Sequence, residues 1–170
     1  MKASQIIDSE LKRNRPAEPG KEIVLSATLD GISVRVKLQD WDRLAVSLTG
    51  LTVKAVTADD PEDKNSFAER CHHLADRLNY LEEPLRAIEI DSERRIGIIR
   101  SYPPRDRFNS KSYFEVIFNG KEKHICLVRK DRFSISGKDM PDKVVIGYQI
   151  LVRLIDDLVE NISQMNPVEK

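Results

Sequence analysis

This chain lacks most of the features that mark a specialised environment. It carries two cysteines, Cys71 and Cys126, in 170 residues. A small secreted domain that relied on disulfides would carry more. Long apolar runs are missing as well. The longest stretch without a charged side chain runs from Leu44 to Val53, well short of the ~20 residues that a membrane helix needs. The amino terminus, MKASQIIDSELK, has no apolar segment of signal-peptide length. Net charge is also missing: 28 basic residues balance 28 acidic ones, so the whole-chain field selects neither a polyanion nor a polycation. The expectation is a cytoplasmic protein with no membrane contact.

What is present is ordinary globular material. Charged residues make up 33 % and apolar residues 40 %, a balance that can build a core. A chain of this length buries roughly two-thirds of its unfolded surface and needs no staple. One domain over residues 1–170 is expected, with a short helix and linker in 1–20 and a flexible tail over 164–170.

The order of elements follows from periodicity. Ala3, Ile7 and Leu11 share one face of a short helix over residues 2–14. The stretch RPAEPGK reads as a linker. Ile23, Leu25, Ala27 and Leu29 then alternate with polar residues, and so do Ile32, Val34, Val36 and Leu38. Asp30-Gly31 between them fits a type I′ turn, so Leu29 should pair with Ile32 and all eight apolar side chains should share one face. Residues 40–57 fit either a helix capped by Asp40 or a strand. The reading favours a short helix, then a strand from Leu51 to Thr57.

Asp60-Pro61-Glu62-Asp63 has the composition of a helix start, with a cap, a proline suited to the first turn and acids that complement the helix dipole. Phe67, Cys71, Leu74, Leu78 and Leu81 continue as a stripe, which predicts a long helix over about 61–82. Two hairpins follow. One spans 85–91 and 94–101 around Ser92-Glu93. The other spans 113–118 and 121–128 around Asn119-Gly120, with Phe118 opposite Lys121. The stretch SYPPRDRFNSK, residues 101–111, reads as a loop between them. Pro141 and Asp142 should start a final helix that buries Tyr148, Leu151, Ile155, Leu158 and Ile162. The fold class is α+β: an antiparallel sheet of consecutive hairpins covered by a long central helix and a C-terminal helix.

Motifs of chemistry are scarce. Ser136-Gly137-Lys138 lacks the upstream glycine of a phosphate loop. Neither a G-x-S-x-G elbow nor an HExxH helix occurs. Cys71-His72-His73 and His124-x-Cys126 hold every cysteine and histidine. The expected register puts His124 opposite Glu115 and Cys126 opposite Tyr113 on the face away from Cys71. The sheet then separates the two cysteines, and the reading assigns no metal, no cofactor and no catalytic residue. An enzyme, if there were one, would be sought at Cys126, His124, Glu115 and Tyr113.

Charge is unevenly spread. Between Arg94 and Arg132 there are eleven basic and four acidic residues, against 17 basic and 24 acidic ones elsewhere. Six of the ten aromatics also fall between Tyr102 and Phe133. Basic residues interleaved with aromatics suit an anionic partner, through phosphate or carboxylate contacts and stacking. The candidate binding residues are Arg94, Arg95, Arg100, Arg105, Arg107, Lys111, Tyr102 and Phe108. Two functions follow as expectations. The first is a non-catalytic protein-interaction module of adaptor or chaperone type, with a protein partner that is self or other. The alternative is single-stranded nucleic-acid binding through residues 94–132.

Overall fold

A computed structural model describes residues 1–14, 18, 20–57 and 64–165. In chain order the elements are α1 (Ala3–Arg13), β1 (Ile23–Leu29), β2 (Ile32–Trp41), β3 (Ala45–Ala55), α2 (Lys64–Arg77), β4 (Leu85–Asp91), β5 (Ile96–Ser101), β6 (Arg105–Asp106), β7 (Ser110–Asn119), β8 (His124–Phe133), β9 (Asp139–Asp142), β10 (Val144–Gly147) and α3 (Tyr148–Ser163). The fold is α+β, with a sheet of mostly consecutive antiparallel strands and three helices among the described residues. The strands run in the order β1-β2-β3-β8-β7-β5-β4.

The first hairpin is paired as its sequence demands. Leu29 lies opposite Ile32 and Ile23 opposite Leu38, with Asp30 and Gly31 at φ 51° and 73°. The apolar positions of β2 are all buried. They join one core cluster with Ala3, Ile7 and Leu11 of α1 and Leu151, Leu154, Ile155, Leu158 and Ile162 of α3. Each such aliphatic side chain contributes roughly 1.5–3 kcal/mol on full burial. α1 and α3 cover the β1–β3 side of the sheet, and α2 covers β4 and β5. The opposite face of the sheet carries no helix among the described residues.

α2 lies close on the sheet. A Cβ at Gly97 would collide with Cys71 Sγ, and one at Gly120 would sit 2.8 Å from the Phe67 ring. Both glycines are therefore required by the approach of the helix.

The sheet also contains a fork. β3 and β8 pair only over Leu51–Lys54 with His124–Leu127. Beyond that the two strands diverge, and the chain from 139 to 147 fills the gap. β9 pairs with β8, from Arg129 opposite Asp142 to Arg132 opposite Asp139. β10 pairs with β3, from Val144 opposite Leu48 to Gly147 opposite Ala45. Register shifts around Leu38, on the β2 side of β3, accompany the divergence.

Several expectations need correction. The central helix is not long. It ends at Arg77 because the chain turns to place Arg77 Nε at 2.9 Å and Tyr80 Oη at 2.8 Å from Asp157 of α3. Its expected start at residues 60–63, like most of the 15–21 linker and the end of the tail, lies outside the described residues. Residues 40–49 form no helix. Asp42, not Asp40, makes the turn by accepting bonds from the Leu44 and Ala45 amides at 2.7 and 3.0 Å, and β3 begins at Ala45. The last helix begins at Tyr148, since Pro141 and Asp142 belong to β9.

The Asn119-Gly120 turn is longer than two residues. Asn119 pairs with His124 and Phe118 with Ile125, with Lys123 at φ 46°. Gly120 is not in the left-handed region, so it does not act as the turn glycine. The pairing moves by four residues from the expected one, an even number, and the faces are kept. Phe114, Val116, Phe118, Ile125 and Leu127 are buried as expected, but His124 faces Asn119 and Cys126 faces Ile117. β5 starts at Ile96, after a turn closed by Arg95 at φ 53°.

Candidate functional site

The basic residues of 94–132 are distributed along the sheet rather than gathered on it. Arg94 and Arg95 sit in the β4–β5 turn. Arg94 meets Asp91 at 3.7 Å, and the Arg95 carbonyl accepts the Gly120 amide at 2.8 Å. Arg100 lies mid-sheet on the helix-free face, and Arg105, Arg107 and Lys111 lie at the opposite end. Along β7, Ile96 lies opposite Asn119 and Arg105 opposite Ser112, which sets Arg95 and Arg105 roughly 25 Å apart at the rise of a strand.

Many of these cations are engaged inside the fold. Glu115 is buried on the helix-free face between Arg100 Nε at 2.7 Å and Lys130 Nζ at 2.6 Å. Beside it the Arg100 guanidinium covers the Tyr113 ring at 5.4 Å, and Arg86 covers the Tyr102 ring at 4.6 Å. Burial, then the nearby Asp139 carboxylate, push the Tyr113 phenol up to about 12. On the helix side Arg129 is buried against Glu83 at 2.7 Å and Ser112 Oγ at 2.8 Å, with its guanidinium over the Phe114 ring at 4.5 Å. Ser101 Oγ donates to the other Glu83 oxygen at 2.5 Å and accepts the Phe114 amide at 2.8 Å. Arg105 approaches the same Glu83 at 3.7 Å.

The end of the sheet beyond this network has a different character. β6 and β7 turn tightly, with the Arg107 amide on the Ser110 carbonyl at 2.8 Å and Phe108 at the tip. β8 and β9 are joined by residues 134–138, with Ile135 at their tip. The Ser134 amide donates to the Asn109 carbonyl at 3.0 Å, which ties the two tips together. Arg107 fastens the first hairpin to the second through Asp131 at 2.9 Å and Asp142 at 3.2 Å. On this braced platform Phe108 is 100 % exposed and Ile135 97 %. Phe133 and Met140, about half exposed, flank them. Lys111 and Arg132 pair on the sheet face opposite to Phe133 and Met140, with Asp106 and Asp139 the acids beside them.

Of the eight candidate residues, the structure brings Arg105, Arg107, Phe108 and Lys111 together at this end. Arg100 and Tyr102 lie midway, and Arg94 and Arg95 at the far end. Sequence reasoning missed Phe133, Ile135 and Met140. The signal was available in Phe133-Ser-Ile135-Ser-Gly137, where apolar residues alternate into a glycine turn. It also missed the Glu83–Arg129 pair, although Arg129 continues the buried series Ile125, Leu127 with period two.

The cysteine and histidine positions do not converge. Cys71 is buried on the sheet-facing side of α2, against Gly97, and Cys126 lies on the helix-free face, where it receives the Thr52 hydroxyl at 3.8 Å. Cys126 borders a depression of about 540 Å³ at the fork of the sheet, shared with Lys37, Thr52, Val128 and Asp142. Among the described residues no three cysteine, histidine or carboxylate side chains stand together as a metal set. No helix of the structure is long and apolar enough to cross a membrane. Comparison with protein-family models, with curated proteins and with solved structures returns no match.

Proposed function

We propose that the chain is a protein-interaction module of adaptor type, which docks an acidic partner carrying apolar side chains on the tips of the β6–β7 and β8–β9 hairpins. One observation carries this reading: two large apolar side chains, Phe108 and Ile135, stand fully exposed on adjacent tips. The tips are braced by the Ser134–Asn109 bond and the Arg107 ion pairs. Scattered exposed apolar residues need no explanation, but a group at one end with Phe133 and Met140 behaves as an interface core. Lys111 and Arg132, on the other face of the same end of the sheet, favour an acidic partner and raise its association rate.

A displayed random-peptide library panned on the protein tests this. Enriched peptides should combine Asp or Glu with aromatic or aliphatic residues, and should lose binding to the Phe108→Ser, Ile135→Ser double variant. Equal enrichment on the variant would sink the proposal.

Single-stranded nucleic acid is the second reading. It is favoured by the half-exposed Tyr102 ring under Arg86, close to Phe108 in the chain. Against it, phosphates would have to displace Glu115, Glu83, Asp131 and Asp142 from the cations they hold. Fluorescence anisotropy with labelled single strands separates the two readings. Binding that falls steeply with salt, and that Arg105→Glu with Lys111→Glu abolishes, would put nucleic acid in place of protein.

A further inference from the structure

The two edges of the sheet are built differently. The β4 edge is blunted: it carries Arg86, Glu89 and Asp91 and is interrupted by a register shift between Ala87 and Glu89. Charges and bulges are what keep an edge from accepting another strand. The β1 edge, IVLSATL, has no charge, no proline and no register shift over its whole pairing with β2. Among the described residues no strand pairs its outer side.

The geometry of the first hairpin fixes which groups face outward. A two-residue turn makes Leu29 and Ile32 a hydrogen-bonded pair, and alternation makes Ala27, Leu25 and Ile23 bond β2 as well. Val24, Ser26 and Thr28 therefore turn their amides and carbonyls to the free edge. The core is unfinished at the same place. Ile23, Leu25 and Leu29 remain partly exposed, as does Ile6 on the adjacent flank of α1. A strip of partly covered aliphatic surface thus runs along a row of unpaired backbone groups, beside a helix.

We infer that this edge accepts an added antiparallel strand from another protein: an extended peptide with aliphatic residues at alternate positions and basic residues at its ends. Only an extended chain satisfies both the backbone groups, spaced at every second residue, and the aliphatic strip. The basic ends follow from Glu22 and Asp30, which bracket β1. Those same acids argue against a second copy of the chain. In a symmetric pairing about Ser26 they would fall opposite each other, and like charges directly opposite are destabilising. This site is separate from the hairpin tips and does not depend on them.

The test uses the full chain and a labelled peptide, Lys-Val-Thr-Val-Thr-Val-Thr-Val-Lys, whose lysines fall opposite Asp30 and Glu22 and whose valines fall opposite Leu29, Ala27, Leu25 and Ile23, read by fluorescence anisotropy. Saturable binding is expected. A peptide N-methylated at alternate amides, which cannot complete the ladder, should bind about tenfold more weakly or worse. Ser26→Pro removes one outward amide and leaves the β1–β2 ladder intact, and should give a loss of similar size. Arg86→Glu at the other edge should change nothing. Absence of saturable binding, or equal binding of the methylated peptide, would overturn the proposal without any change to the protein. A wild-type dimer by sedimentation that Ser26→Pro makes monomeric would also overturn it, in favour of a second copy on this edge.

Discussion

The two halves of the sheet obey the same period-two pattern and fill it with different chemistry. Along β2 the helix-side positions from Ile32 to Leu38 are aliphatic, namely Ile32, Val34, Val36 and Leu38, and Trp41 closes the strand against α1. Along β7 and β8 the helix-side series begins in the same way and then changes. Phe118, Val116 and Phe114 give way to Ser112 and Ser110, and Ile125 and Leu127 give way to Arg129 and Asp131. Arg129 and Ser112 are as buried as the valines of β2. The first half is held by volume. The second half is held by groups that must each find a partner, because an unpaired charge in such a place costs far more than a lost methylene. Equal burial therefore implies unequal tolerance: the β1–β3 side should absorb small polar errors at its margins, and the Glu83–Arg129 region should not.

The sharpest break of this contrast is at Glu83. Glu83→Ala leaves Arg129 buried without its carboxylate and should cost about 3–5 kcal/mol in urea unfolding. Replacing Glu83 by Leu and Arg129 by Met together should recover most of that loss. If the double variant were as unstable as the single one, the pairing would not be what this half depends on. A smaller effect is expected at the helix contact. Gly97→Ala drives a methyl into Cys71 Sγ and should cost about 1–3 kcal/mol. Cys71→Ala in the same chain removes the colliding sulfur and should make the glycine replacement nearly silent, a non-additivity visible in a double-mutant cycle.

The smallest effect falls on the β3–β8 seam. Burial, then the Lys54 ammonium, hold the His124 imidazole below its ordinary value of 6.5, with Glu122 opposing. The folded state then binds fewer protons here than the unfolded chain. This contribution is full above pH 6.5 and is lost as pH falls through the lowered value. His124→Gln should flatten the decline in unfolding midpoint between about pH 7.5 and about pH 5.5 relative to the wild type. An unchanged slope would show that neither burial nor Lys54 holds His124 below its ordinary value.

Legibility in the sequence followed the same division. The 23–38 hairpin could be read to the residue because Asp30-Gly31 is a turn for backbone reasons, both residues taking positive φ. Asn119-Gly120 carries the same kind of turn signal and misleads, because Gly120 is small for the sake of Phe67 and the turn is closed instead by Lys123. The helix stripes were legible in α1 and α3. The end of α2 was not, since it depends on Tyr80 and Arg77 reaching Asp157 across the fold. Strands β9 and β10 had no local signal: each is defined by the gap it fills between β3 and β8. At the hairpin tips, Phe108 and its cations were legible from composition. Ile135 was not, because only the Ser134–Asn109 bond makes the two tips neighbours.

The fork has a consequence for the order in which the chain can finish folding. Part of the β3 edge is covered only by residues 144–147, which are synthesised long after β3 itself. α1, at the start of the chain, likewise packs on α3 at the end. Contacts between such distant segments carry the largest loop-closure cost and form late. On the ribosome the first three strands can pair locally, but the Ala45–Leu48 edge stays open until residue 147 has emerged. During that interval an apolar strand with a vacant edge is exposed to neighbouring nascent chains. Misassembly at this edge is therefore most favoured in the interval between the synthesis of β3 and that of β10.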